Sequence, residues 1–131
     1  MNRYAEILRK ARAPIKKPQK ARLPQAPSKL EMELQCQVQL AGLGDQLETE
    51  FKLISGRRFR WDVAFPAHRL LVEIQGGIWS VGGHSTGTGI TRDCEKNNLA
   101  VLAGYRCLMV TGEHIRTGQA LKWIRQALGV I

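Results

Sequence analysis

Arg58 to Gln75 constrains this chain more than any other stretch, because it alternates apolar and polar residues twice around a proline-led break. Phe59, Trp61, Val63 and Phe65 alternate with Arg60, Asp62 and Ala64. Leu70, Val72 and Ile74 then alternate with Leu71, Glu73 and Gln75. Period-two alternation predicts two half-buried strands. Pro66 has no N–H to give a ladder and stands where a turn should start. Both apolar sets share a face if Phe65 pairs with Leu70, which leaves Pro66, Ala67, His68 and Arg69 as the loop. Loops of about four residues are common in hairpins, and a slip of one residue would turn one apolar set to the wrong face.

The same register sets Asp62 across from Glu73 on the polar face, with Cβ atoms about 5 Å apart. Like charges in that position cost stability. A divalent cation held between the carboxylates turns the cost into a gain. The plainer alternative is an exposed acidic pair, each acid matched by an arginine such as Arg60.

At 131 residues the chain holds one domain with a usable core and room for an extension. No apolar run approaches the roughly 20 residues that span a membrane, and the N-terminus has no apolar run of the secretory kind. Cys36, Cys94 and Cys107 are odd in number and lack CxxC spacing. They are expected to be reduced, mostly buried thiols of a cytoplasmic protein, and not zinc ligands. The net charge of +9 is uneven. Residues 1–30 hold nine Lys/Arg and one acid, whereas the other 101 residues are nearly neutral at +1. Residues 1–27 carry four of the five prolines and are predicted to form a basic arm, with a short helix over 1–12. Residues 28–131 form the domain. A basic arm suits a polyphosphate partner, since each neutralised phosphate releases counterions; a solubilising tail or an import signal is the competing reading.

Ser28-Lys29-Leu30-Glu31 reads as a capping box that opens a helix, with Glu31 reaching back to the cap. Leu30, Leu34, Val38 and Ala41 recur at helical spacing, and Gly42 or Gly44 ends the run. Glu33 sits beside that stripe. Residues 46–54 are a candidate short strand. After Gln75 the glycine-rich run from Gly76 to Gly89, with His84 inside it, predicts a loop at a strand end, a usual place for a binding site. Thr91 is a candidate cap for a helix over Arg92–Ala103. On it Asp93, Lys96 and Asn97 share a face. Tyr105–Val110 is an apolar run suited to a sheet interior, and Thr117–Leu128 an amphipathic helix. This order predicts an α/β (α+β) fold: a small mixed β-sheet flanked by helices on both faces.

Asp62, Glu73-Ile74-Gln75, His84, Asp93 with Lys96, and Gly104-Tyr105-Arg106 together resemble the PD-(D/E)XK nuclease superfamily. Within it the likeness is greatest to the small phage endonuclease-like and very-short-patch-repair-like branch. It covers about residues 28–128. It implies a restriction-endonuclease-like core and a metal-dependent DNA endonuclease of phage or mobile-element origin, acting in the host cytoplasm. By the same likeness Asp62 and Glu73 would bind Mg²⁺ or Mn²⁺, with the Ile74 carbonyl beside them and Glu33 holding a second metal or a water. Gln75 stands where the superfamily usually has its lysine. Lys96, on the following helix, would serve instead, with Asp93 holding it or touching metal-bound water and His84 on the scissile phosphate. Two alternatives remain open on the residues: a Holliday-junction resolvase of the same superfamily, which must be a homodimer, and a silent DNA-binding module that keeps the fold.

Overall fold

A computed structural model describes residues 28–75 and 87–130 and, within the arm, Arg3 alone. The expectations for the rest of the arm, for the glycine loop and for His84 therefore lie outside the described residues.

Helix α1 (Lys29–Leu40) begins as predicted: the Ser28 hydroxyl accepts the Glu31 N–H at 3.2 Å. It ends at Ala41, and Gly42 then takes a φ of +78°, a left-handed conformation that suits a residue without Cβ. Strand β1 (Glu48–Phe51) lies antiparallel to β2 (Trp61–Phe65), and β2 lies antiparallel to β3 (Leu70–Gln75). Helix α2 (Gly87–Leu102) carries the chain over to β4 (Arg106–Thr111), which is parallel to β3. A parallel neighbour needs such a crossover, whereas the antiparallel pairs need only turns. Two helices close the domain, α3 (Gly112–Arg116) and α4 (Gln119–Ala127). The sheet order is β1-β2-β3-β4.

The hairpin has the expected register, with Phe65 opposite Leu70, Ala64 opposite Leu71 and Val63 opposite Val72. Its loop is one 3-10 turn over Pro66–His68, closed by Arg69 in a left-handed conformation whose N–H donates to the Pro66 carbonyl at 3.0 Å. The two sheet faces are packed differently. On one, Val63, Phe65, Leu70, Val72 and Val110 meet Leu34 and Val38 of α1, Ile115 of α3 and Ile124 of α4. On the other, Ala64 and Leu71 meet Ala100 of α2, with Tyr105 and Cys107 around them.

Several local expectations need correction. Trp61 does not stay with Val63 and Phe65: it packs in the α2 core with Ala64 and Leu71. The alternation breaks opposite Glu50, which falls between the Thr49–Val63 and Phe51–Trp61 pairs and has a φ of +49°. Helix α2 starts at Gly87, so Thr91 lies inside it and does not cap it. Glycine costs a helix about 1 kcal/mol, too little to stop an added first turn. Strand β4 has β3 as its one sheet neighbour among the described residues, and Met109 is 60% exposed, so the apolar run lines an edge and not an interior. The closing helix forms where expected, over Gln119–Ala127, but a short helix that was not expected precedes it: Thr111 caps α3 through a reciprocal pair of hydrogen bonds with His114, and Gly118, at φ +81°, separates α3 from α4. All three cysteines are free, but Cys36 and Cys94 are exposed and only Cys107 is partly buried.

Phe65 is fully buried between the helical layer and the sheet. Phe65→Ala should cost about 3–5 kcal/mol in urea unfolding. A loss below about 1 kcal/mol would contradict this packing.

Candidate metal centre

Four carboxylates and one ammonium come together at one end of the sheet. Glu31 comes from the first turn of α1, Glu50 from the end of β1, Asp62 from the start of β2 and Glu73 from the outer half of β3; Lys96 arrives from α2. Glu31, Glu50 and Asp62 each bring a carboxylate oxygen within 4.8 Å of the others.

Each of the three is held there by a local cause. Glu31 shares the spacing i, i+3, i+7 with Leu34 and Val38, the two buried residues of α1, so its side chain points toward the sheet. Its N–H meets the Ser28 cap as expected, but its carboxyl forms a hydrogen bond with Asp62. Glu50 is brought in by its left-handed backbone, which for a residue with a Cβ costs of order 1–3 kcal/mol and tends to accompany functional sites. Asp62 Oδ2 accepts the Ile74 N–H at 2.9 Å, just beyond the last paired rung, Val63–Val72. Asp62 thus ties β3 to the acid cluster.

The cluster is electrostatically strained. The Glu31 carboxyl is pushed up from 4.5 to about 7, first by partial burial and then by the charges on Asp62, Glu50 and Glu73. A Glu31 carboxyl that keeps its proton can donate to Asp62, which eases the repulsion. Oxygen donors of this kind suit hard divalent cations such as Mg²⁺ and Mn²⁺ and do not suit softer metals. The residues therefore fit the cation that the likeness implies.

Glu73 takes a different partner from the one expected. It does not join the triad; its Oε2 accepts from Lys96 Nζ at 2.7 Å. Burial still raises the Glu73 carboxyl, more than Lys96 lowers it, and the charges on Asp62 and Asp93 add to the rise. Lys96 Nζ also stands 4.9 Å from the centre of the Trp61 ring, a cation–π contact. The swing of Trp61 into the α2 core thus has a consequence at the site: a buried indole and a carboxylate fix one lysine from two sides. Cys107, below them, has its thiol pushed up by burial and by Glu73.

Asp62, Glu73 and Lys96 are therefore brought together, with Asp93 near enough to act on Glu73 by its charge. The Ile74 amide is engaged with Asp62. Gln75 lies two residues along β3 from Glu73, opposite Thr111 of β4. His84 is outside the described residues. Glu33 needs correction: it is exposed, about 200° around α1 from Glu31, and the helix acid at the site is Glu31. The spacing of Glu31 with Leu34 and Val38 carried that signal. Glu50 had none, because the backbone turn that brings it in is not encoded by a glycine.

Raising the pH should weaken the metal-free fold. The stability due to the raised Glu31 carboxyl is fully present below pH 4.5 and lost as the pH rises through about 7. Glu31 is partly exposed, so solvent screening reduces the effect to about 1 kcal/mol. In EDTA, Tm should fall by roughly 5 °C between pH 4.5 and pH 8 from this group, and Glu31→Gln should flatten the fall. An equal fall in the variant would contradict the cluster.

Comparisons with family models, with curated proteins and with solved structures find no match, so the functional reading of this chain rests on the chemistry of its site.

Proposed function

We propose that the protein is a metal-dependent endonuclease that hydrolyses phosphodiester bonds in DNA. The observation that carries the reading is the pairing of two sites at one sheet end: a three-carboxylate cluster and, beside it, a lysine held by Glu73 and Trp61. Glu31, Glu50 and Asp62 would hold Mg²⁺ or Mn²⁺. A bound divalent cation lowers the pKa of water and neutralises charge on a phosphate oxygen. The chain's own contribution is positional. Asp62 is fixed by the Ile74 amide, so its charge cannot swing away from the cluster. Glu73 and Trp61 aim the Lys96 ammonium, a compact charge that favours the negative charge developing on phosphorus-bound oxygens. This arrangement gives Lys96 the part that Gln75 cannot play, since an amide brings no charge.

A silent DNA-binding module is the second reading, and Gln75 in the usual place of the lysine favours it. Plasmid and branched DNA incubated with Mg²⁺ or Mn²⁺ separates the two. The wild type should cut; Asp62→Asn, Glu50→Gln and Lys96→Met should each lose about 100-fold in rate while still binding DNA. Glu73→Gln, which keeps an acceptor for Lys96, should lose less than Glu73→Ala. Binding without cutting by the wild type, or equal cutting by all variants, would overturn the nuclease.

A further inference from the structure

We infer that the β1–β2 loop, residues 52–60, is the surface that grips the phosphate backbone of nucleic acid beside the acid cluster. The inference rests on the proposed function for its choice of partner. Lys52, Arg57, Arg58 and Arg60 give the loop four positive charges and no acid. It leaves β1 two residues after Glu50 and re-enters β2 immediately before Asp62. Lys52 and Arg60 therefore lie within about 7 Å, along the chain, of the two cluster acids they flank.

The four cations are not alike. Arg57 is committed: it bridges to Glu95 of α2 at 2.5 Å and lies 4.7 Å from the centre of the Phe59 ring. Phe59, Leu53 and Ile54 pack in turn against the α2 core. These contacts pin the loop. Lys52, Arg58 and Arg60 are exposed and have no ionic partner among the described residues. Arg60 in particular does not pair with Asp62 or Glu73, although sequence alone allowed it. The loop surrounds an open depression of about 440 Å³ that Lys52, Arg57 and Arg58 help to line.

A fold that needed these charges only to balance its acids would pair them. Instead Lys52, Arg58 and Arg60 stay without an ionic partner among the described residues, next to a cluster of three carboxylates. A polyanion laid across this end would meet cations on either side of the cluster, which offsets the repulsion that the carboxylates impose on a phosphate. Among the described residues the loop carries the unpaired cations next to the acid cluster.

The test uses the full chain, labelled duplex DNA and Ca²⁺ in place of Mg²⁺, with affinity measured from 50 to 300 mM salt. In Lys52→Ala/Arg58→Ala/Arg60→Ala the slope of log K against log salt should become less steep by about 2–3, and affinity at low salt should fall roughly 10- to 100-fold. With Mg²⁺, cleavage at saturating DNA should keep its rate while KM rises. An unchanged salt slope in a folded variant would overturn the loop assignment and leave the nuclease standing. Weaker binding by the variant, with no cutting by the wild type, would overturn the nuclease and leave the loop. Binding to phosphatidylserine vesicles as tight as to DNA, lost in the same variant, would overturn nucleic acid as the partner.

Discussion

Asp62 is the point on which both the sheet and the site depend. Its Oδ2 takes the Ile74 N–H where the β2–β3 ladder stops pairing, and its carboxyl meets Glu31 and Glu50. One side chain therefore completes a strand pair and concentrates negative charge. The two roles support each other, because the amide hydrogen bond holds the charge in place. A neutral side chain of the same size would satisfy the amide but leave the cluster with less to gather around.

The rest of the fold brings its parts to Asp62. The large core beneath α1, α3 and α4 fixes the sheet, and the burial of Leu34 and Val38 fixes the rotation of α1 that aims Glu31. The smaller core beneath α2 takes in Trp61, and the indole then supports Lys96 from below while Glu73 binds it from the side. The backbone of Glu50 sits in an unfavourable left-handed region between the Thr49–Val63 and Phe51–Trp61 pairs. Backbone strain, crowded carboxylates and an oriented ammonium thus lie within one end of a four-stranded sheet.

The hairpin was legible because its information is local: alternation and the proline fix the register, and Phe65 pairs with Leu70 as they require. The layer order followed from the sequence of periodicities. The partners of the acids did not follow. Facing Asp62 with Glu73 assumes that alternation runs unbroken to the strand end, but Trp61 and Val63 lie in different cores, and each acid finds a different neighbour. At α1 the cap motif claims Glu31 locally, although its spacing with Leu34 and Val38 places it on the inward side. The cap of α3 at Thr111 carries no usual sequence signal, because His114 stands in for the glutamate or glutamine at the third position. The edge position of β4 among the described residues is not legible in the sequence, because apolarity reports burial on faces and an edge is decided by topology.

The proposed function turns on whether Glu31, Glu50 and Asp62 hold a divalent cation. The most direct measurement is a crystal soaked in Mn²⁺ at pH 8, with data collected for the anomalous signal of manganese. The account predicts a single strong peak bounded by Glu31, Glu50 and Asp62, with Lys96 still against Glu73 or within reach of the ion's outer ligands. A cluster left without an anomalous peak would contradict it.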